Sequence, residues 1–346
     1  MRGFTFGCAA LALTSCATAE PEYPPEPTCV VPDTGLPKDL ACTGLYLHSQ
    51  AKVIAPAVMP YEPGVLLWSD GAEKRRFLSL PAGSQIDTAN LDAWKFPVGT
   101  KAWKEFKVQG KLVETRLIWK RSAAKWELGT YVWDAAGSHA TLNEAPKGIV
   151  RPDGYEIPTQ KDCEKCHHGA ADKLLGVEAV ALGLPNAKGA TLTKLATQGW
   201  LSHPPAHTIV QLPEDATGKA AQALGYLHVN CGMACHSTRG LGEETQLVLR
   251  LRAGELWPQG ADGPTPPLDA TATDIWKAGV NQAPKTASVA QKFPGAFRIT
   301  PGSHEKSLVW LVSHLRGNYQ MPPLVSHVID EVGTQKLADW IDALPN

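Results

Sequence analysis

Short runs of alternating apolar and polar residues characterise the chain from about Tyr61 to Glu144. Aromatic and β-branched residues are frequent in these runs, and Gly, Pro, Lys or Ser/Ala residues separate them, as is typical of strands joined by turns. The four clearest runs are RRFLSL, WKEFKV, LVETRLIWK and KWELGTYVWD. The third run has one mostly polar face: Glu114, Arg116 and Lys120 alternate with Val113, Thr115, Leu117 and Trp119. This pattern predicts a β-rich, sandwich-like domain over residues 45–150.

A helical period replaces the strand pattern later in the chain. The segment DATGKAAQALGYLHVN is predicted to form a helix that runs into Cys231. Two further segments repeat apolar residues at i, i+3, i+4 and i+7: Leu308, Leu311, Val312 and Leu315, then Leu337, Trp340, Ile341 and Leu344. We therefore expect an α+β multidomain protein, in which the β-rich domain precedes a mainly α, loop-rich region over residues 151–346.

The composition indicates a globular chain without a nucleic-acid partner. Hydrophobic residues make up 43% of the 346 residues, and 33 Lys+Arg balance 34 Asp+Glu. Residues 70–127 hold 12 basic and 7 acidic residues, and we expect this local excess to be a solvated surface. Six of the 11 tryptophans lie between Trp68 and Trp133. Such a cluster serves either as a carbohydrate platform or, more commonly, as packing between two sheets.

The N-terminus resembles an export signal. The segment MRGFTFGCAALALTSC combines one Arg, a short apolar run and small residues, and the run is too short to anchor in a bilayer. Leu13–Cys16 resembles a bacterial lipobox, which predicts a signal peptide over residues 1–15 and lipidation of Cys16; the alternative is plain cleavage near Ala17–Ala19. A Pro-rich tether then begins a segment over residues 16–44. The expected location is the cell envelope, lipid-anchored, on the periplasmic or outer surface.

Export changes the interpretation of the cysteines, because unpaired thiols are unexpected in an oxidising compartment. Cys8 leaves with the signal, and Cys29 and Cys42 flank a short Pro/Gly loop that a disulfide would close. The remaining four cysteines form two close pairs, and a histidine directly follows each pair: Cys163, Cys166 and His167, then Cys231, Cys235 and His236.

The first pair has the spacing of a c-type haem attachment motif, C-x-x-C-H. Two thiols at this spacing reach the two vinyl groups of one haem, and the adjacent histidine is placed to bind the iron. We therefore predict covalent haem c at Cys163 and Cys166 with His167 as an axial ligand. Zinc or a bare disulfide is the alternative for this pair.

The second pair departs from that spacing, since three residues separate Cys231 from Cys235. A second haem c at these thiols, with His236 as axial ligand, competes with a disulfide and with attachment through a single thioether. Met321 favours the haem, because a Met-Pro-Pro loop between two amphipathic helices is where monohaem cytochrome c domains keep the sixth ligand; the alternative role for Met321 is core packing. A structural Cys₄ zinc site would leave both histidines and this loop without a role.

The sixth ligand of the first haem is not identified by the sequence. His168 adjoins His167 and would be strained as a distal partner, whereas five other histidines could approach from elsewhere: His48, His139, His203, His207 and His228. A filled position implies electron transfer alone, and an open one permits ligand binding or peroxide chemistry.

Several blocks of the chain resemble a family of exported bacterial di-haem c-type proteins, largely uncharacterised, some of which are fused to sugar-dehydrogenase-like propellers. The resemblance covers most of the chain from about Leu45, and its blocks include LWSDGAEKRRF, FPVGTK, VETRLIWK, YVWD, IPTQKDCEKCH, YLHVNCGMACH and QMPPL followed by LADWIDAL. It implies a β-rich domain over residues 45–150, a first haem segment over 151–195 and a cytochrome c-like domain over 196–346.

Residue by residue, the resemblance implies one haem at Cys163, Cys166 and His167, and a second whose iron ligands are His236 and Met321. The inserted residue in CGMACH departs from the C-x-x-C-H that the family commonly has at this place. The family supplies no established substrate.

These observations favour a haem-binding electron carrier over a catalyst. We expect a lipid-tethered di-haem cytochrome. Its partners would be redox proteins, either a dehydrogenase or a respiratory acceptor. It would contact the membrane through its lipid anchor and would bind no nucleic acid. Two alternatives remain: a di-haem peroxidase-like oxidoreductase, and a non-redox protein that binds envelope glycans and has purely structural cysteines.

Overall fold

The computed structural model describes residue 23 and residues 25–170, 172–257 and 267–345. The predicted signal peptide and Cys16 lie outside these residues. Eleven strands occur in the described chain: β1 (Tyr46–His48), β2 (Val53–Ile54), β3 (Met59–Glu62), β4 (Glu73–Ser79), β5 (Lys101–Val108), β6 (Lys111–Lys120), β7 (Trp126–Trp133), β8 (Ala140–Leu142), β9 (Ile149–Val150), β10 (Glu156–Ile157) and β11 (Lys188–Gly189). The four strands predicted from alternation are confirmed as β4 to β7.

The dominant element is an antiparallel sheet of seven strands in the order β11-β3-β4-β5-β6-β7-β8. Consecutive strands from β3 to β8 are neighbours, so this part of the sheet is a meander. The edge strand β11 comes from beyond residue 151 and pairs with β3 through Lys188 and Gly189. The mixed α and β character expected from the sequence is confirmed.

Nine α-helices occur in the described residues: α1 (Gln160–His167), α2 (Ala179–Gly183), α3 (Leu192–Thr197), α4 (Ala220–Leu227), α5 (Ala253–Leu256), α6 (Asp274–Gly279), α7 (Ala287–Lys292), α8 (Leu308–Ser313) and α9 (Glu331–Ala343). The predicted C-terminal helix is confirmed as α9, with Leu337, Trp340 and Ile341 buried. None of the helices in the described residues is long and apolar enough to cross a membrane.

The first face of the sheet, here called the N-terminal face, packs against the segment that precedes β3. Alternate residues of the central strands point to this side, among them Phe77, Trp103 and Leu117. Leu40 and Tyr46 cover them, together with the two-stranded sheet β1–β2. In the structure, Cys29 and Cys42 lie at disulfide-bonding distance with Cα atoms 5.2 Å apart, which ties the start of this segment down.

The opposite face, here called the motif face, packs against the helical part of the chain. Leu78, Ala102 and Ile118 belong to one apolar core with Leu182, Leu224 and Trp340. This core therefore contains residues of the sheet and of the helices. The three-part division at residues 150 and 195 stays a prediction, because the core does not decide where separate folding units begin.

Candidate functional site

The first C-x-x-C-H motif lies on α1, a short helix with a well-formed start. Thr159 precedes the helix, its hydroxyl accepts a hydrogen bond from the Asp162 N–H at 3.2 Å, and the Asp162 carboxylate accepts one from the Thr159 N–H at 3.2 Å. This capping box fixes where the helix begins, because it satisfies backbone N–H groups that have no partner within the helix. Cys163, Cys166 and His167 then follow within two turns, and α1 packs over β7.

His167 has the orientation of a metal-binding histidine. Its Nδ1 donates a hydrogen bond to the Lys173 carbonyl at 2.6 Å, which places the proton on Nδ1 and leaves Nε2 with its lone pair. Burial, together with the positive charge of Lys104, lowers the pKa of His167 to about 3. The ring is therefore neutral, as iron ligation requires.

The Cys163 and Cys166 thiols are free and face the sheet. The Thr130 side chain of β7 lies near Cys163, and the Arg116 guanidinium lies close enough to interact electrostatically with both thiols. Burial raises the pKa of each thiol, against the effect of Arg116, so both stay protonated at neutral pH. Protonated, accessible thiols beside a neutral imidazole suit thioether attachment of a haem.

The second motif begins in a π-helical turn, His228–Gly232, which contains Cys231. The Met233 N–H donates to the His228 carbonyl at 2.8 Å, and the His236 N–H donates to the Cys231 carbonyl at 2.9 Å. Both bonds span five residues, and such a wide turn rotates the chain less per residue than an α-helix does. The turn ends at Gly232, and the Cys235 N–H donates to the Cys231 carbonyl at 3.3 Å, so the two cysteines lie about one helical turn apart despite the inserted residue.

His236 also points a ring nitrogen at the backbone. Its Nδ1 lies 3.4 Å from the side-chain hydroxyl of Thr245, and the ring lies near the backbone of Leu247. Burial lowers the pKa of His236, and burial raises the pKa of Cys231 to about 12 and of Cys235 to about 11. The second motif thus has the same three features as the first: two protonated thiols and a neutral, oriented imidazole.

The two motifs touch. A Cβ at Gly169 would overlap the carbonyl oxygen of Ala234, so only glycine permits this approach. The Cys166 and Cys235 thiols are near enough to influence each other electrostatically. Residues about 65 positions apart in the chain therefore form one continuous site on the motif face.

Met321 lies in the loop between α8 and α9, with its side chain 37% exposed. The loop is joined to the second motif through Trp68, whose N–H donates to the Asn230 carboxamide at 2.7 Å and whose indole N–H donates to the Val328 carbonyl at 3.0 Å. Asp70 adds two carboxylate acceptors for the His327 and Val328 N–H groups at 2.9–3.1 Å.

Asp172 is a site residue that the sequence did not single out. Its carboxylate accepts hydrogen bonds from Lys120 Nζ at 2.6 Å, from the Trp126 indole at 2.7 Å and from the Phe96 N–H at 2.6 Å. It lies five residues after His167 and fastens the end of the first motif to the sheet. No pattern in the sequence indicates these contacts, because the three partners lie 46 to 76 residues away from Asp172.

The histidines considered as a sixth ligand have other neighbours. His48 stacks on Tyr23, His139 lies 3.5 Å from Asp39, and His203 hydrogen-bonds Ser202. His228 is buried, accepts a hydrogen bond from the Leu251 N–H at 3.0 Å and lies 3.5 Å from Glu178. The sixth position of a haem at His167 therefore remains unassigned.

Zinc and glycan binding find little support in the geometry. Among the residues that the structure describes, no three His, Cys, Asp or Glu side chains converge as metal ligands, so the four thiols are not gathered as a Cys₄ set. The indoles of Trp94, Trp103 and Trp133 are at least nine-tenths buried, and Trp68 is occupied by the Met321 loop. Trp94, Trp103 and Trp133 are thus packing residues rather than parts of an exposed platform.

A cavity of about 750 Å³ lies beside β7, between the N-terminal segment and the start of α1. Leu36, Gly129 and Leu142 line it, and Cys42 contributes as half of the disulfide. It is a gap beneath the N-terminal segment, and neither His167 nor His236 lines it. We therefore place the candidate site at the two motifs.

Comparison of the chain with protein-family models, with curated proteins and with solved structures gave no match. The functional argument consequently rests on the residues of this chain.

Proposed function

We propose that the protein is a di-haem c-type cytochrome that transfers electrons in the bacterial envelope. One haem would be held by Cys163, Cys166 and His167, and the second by Cys231, Cys235, His236 and Met321. When bound, haem supplies one-electron redox chemistry. Cysteines and histidines of the chain attach and orient it.

The observation that carries this proposal is the repeated geometry of the two motifs. Each places two free thiols in one helical turn beside a histidine whose Nδ1 meets a polar group further along the chain, the Lys173 carbonyl at 2.6 Å or the Thr245 hydroxyl at 3.4 Å. A structural disulfide pair has no need of an oriented imidazole, and a zinc site would gather the thiols at one point. The contact at Gly169 brings the two motifs together, as electron exchange between two haems requires.

Location and partners belong to the same proposal. The lipobox-like Leu13–Cys16 and the Pro-rich segment after it support a lipid-anchored protein facing the periplasm or the outer surface. Haem c is attached outside the cytoplasm, which is consistent with export. This chemistry implies redox proteins as partners. A dehydrogenase would donate electrons, and a respiratory acceptor would receive them.

Intact-mass measurement of the exported protein, made together with haem maturation machinery, tests the proposal. We expect a mass increase of two haems, a c-type pyridine haemochrome, and the loss of one haem each in Cys163→Ser/Cys166→Ser and Cys231→Ser/Cys235→Ser variants. A protein without covalent haem would refute the proposal, and a single haem absent only from the first variant would remove the second site.

A peroxidase-like activity is the second candidate. It is favoured by the contacts of four histidines that could otherwise serve as a sixth ligand. His48, His139, His203 and His228 each interact with residues other than His167, which is compatible with an open sixth position. A high-spin haem and peroxide turnover that disappears in His167→Ala would establish it. Two six-coordinate low-spin haems in both oxidation states would exclude it.

A further inference from the structure

Three basic side chains form a row across the motif face of the sheet. The strand register places Arg76 of β4 opposite Lys104 of β5, and Lys104 opposite Arg116 of β6. Directly opposite residues on one face of a sheet have Cβ atoms about 4.5–5.5 Å apart. We call these three residues the basic row; Thr130 of β7 continues it beyond Arg116.

The three cations differ in their partners. Arg116 is paired with Glu114, which also accepts a hydrogen bond from the Tyr155 hydroxyl at 2.6 Å. Arg76 is only 5% exposed, yet its guanidinium makes neither a hydrogen bond nor an ion pair with any residue that the structure describes. Within the same described chain, Lys104 likewise has neither.

This arrangement is unfavourable by itself. Like charges directly opposite each other in a sheet repel, and a buried cation without a partner loses its hydration. Burial and the two neighbouring guanidinium groups lower the pKa of Lys104 to about 7, and burial lowers the pKa of Arg76. An anion placed on the row would relieve both costs.

Two members of the row lie beside the first C-x-x-C-H motif. Lys104 interacts electrostatically with Cys163, Cys166 and His167, and so does Arg116. Thr130, at the end of the row, lies on β7, the strand against which α1 packs. Any group attached to these two thiols and bound to this histidine would therefore share the space between α1 and the basic row.

We propose that Arg76 and Lys104, with Arg116 beside them, bind the two propionate carboxylates of the haem attached at Cys163 and Cys166. This inference rests on the proposed function. Haem brings two carboxylates, and the row offers two cations without a protein partner. Charge-assisted hydrogen bonds to Arg and Lys are the stronger kind that buried carboxylates require. The β-rich part of the chain would then be half of the haem pocket, and the row would set the potential of this haem.

The test uses the haem-loaded, exported protein and three single variants. Arg76→Gln and Lys104→Gln each remove one cation of the row, whereas Lys107→Gln removes one cation from the same strand β5 on the other face. We measure the haem reduction potentials and the propionate vibrations in the resonance Raman spectrum. Losing a nearby cation lowers the potential, because oxidised haem carries one more positive charge than reduced haem.

We expect both row variants to lower one of the two potentials and to shift the propionate vibrations, with the largest change in the double variant. Lys107→Gln should change neither, and Arg76→Lys and Lys104→Arg should retain most of the wild-type values. The haem mass should stay unchanged in every variant, because the thioether bonds do not involve the row.

Three results would overturn the inference. Row variants that behave like Lys107→Gln, in protein that carries haem at Cys163 and Cys166, refute it and leave the proposed function intact. Conversion of a low-spin haem to high-spin in Lys104→Gln would instead make Lys104 an iron ligand. Wild-type protein without haem on the peptide containing Cys163 would refute the proposed function, and this inference with it.

Discussion

The two faces of the seven-stranded sheet differ in whether the charged residues of β4 and β5 have hydrogen-bond partners. On the N-terminal face, Glu105 is 1% exposed, and it accepts hydrogen bonds from Arg75 Nε at 2.7 Å and from the Tyr46 hydroxyl. On the motif face, Arg76 and Lys104 occupy the neighbouring positions of the same strands without a partner in the described chain. The buried charge at Glu105 is satisfied by neighbouring side chains, whereas Arg76 and Lys104 make neither a hydrogen bond nor an ion pair with the described residues.

The motif face itself contains the strongest internal control, Lys120 paired with Asp172. Their side chains are 7% and 12% exposed, and their N–O distance is 2.6 Å. Asp172→Asn leaves the buried Lys120 ammonium without its carboxylate partner. We therefore expect the free energy of unfolding to fall by about 3–5 kcal/mol in denaturant titrations. Asp87→Asn, which breaks an exposed pair with Lys95, should have a far smaller effect. Equal effects would mean that the buried pair is not what holds this end of the motif.

Adjacent residues of β5 give the sharpest contrast between the faces. In protein whose first motif is blocked by Cys163→Ser/Cys166→Ser, Glu105→Gln should lower the free energy of unfolding by about 3 kcal/mol, because two hydrogen bonds to a buried carboxylate are weakened. Lys104→Met should leave it unchanged or raise it, since no protein partner is lost. Urea unfolding of both variants measures this. A large destabilisation by Lys104→Met would show that the motif face is internally complete as well.

The contact between the two motifs can be tested at Gly169. Gly169→Ala places a methyl group against the Ala234 carbonyl, and we expect a loss of about 1–3 kcal/mol in the free energy of unfolding from overpacking. Gly254→Ala is the matched control, because its added Cβ would meet only the Asp92 carboxylate at 3.6 Å, an ordinary contact. Similar stability of the two variants would contradict direct packing of the motifs.

The smallest expected effect is a pH dependence from the N-terminal face. Burial, and then the charge of Arg121, lowers the pKa of Lys101 to about 8 from 10.5. Between these two pH values the unfolded chain binds more protons, so stability rises with pH through this window. Lys101 keeps some contact with water, and its share should be less than about 1 kcal/mol. The free energy of unfolding of the wild type should rise relative to that of Lys101→Met as pH increases from 7 to 11; a constant difference would contradict the shift.

Much of the sheet could be predicted from the sequence, because a period of two in runs such as LVETRLIWK is a local property of the chain. The expectation that the positive region 70–127 is a solvated surface was wrong in part. Arg76 and Lys120 are each 5% exposed, since helices built from later residues cover the motif face. Alternation tells which residues share a face of a strand, and it does not tell whether that face meets water.

Some features of the candidate site could likewise be predicted from the sequence, and others could not. The sequence shows directly that His167 follows Cys163 and Cys166. It also shows the irregular spacing from Cys231 to Cys235. The π-helical turn at the start of the second motif was not foreseen, because π-helical turns are rare and the sequence has no pattern that predicts one. Asp172 was not foreseen either, since its three partners come from segments 46 to 76 residues away.

The sequence by itself determined the strands, the C-terminal helix and the two motifs that pair thiols with a histidine, because each depends on neighbours within a few residues. Only the tertiary structure decided that Gly169 meets Ala234, that the Lys173 carbonyl orients His167, and that Arg76, Lys104 and Arg116 form one row on the motif face. The physical reason is that burial and electrostatic partnership arise from residues far apart in the chain, and folding alone brings these residues to one side of one sheet.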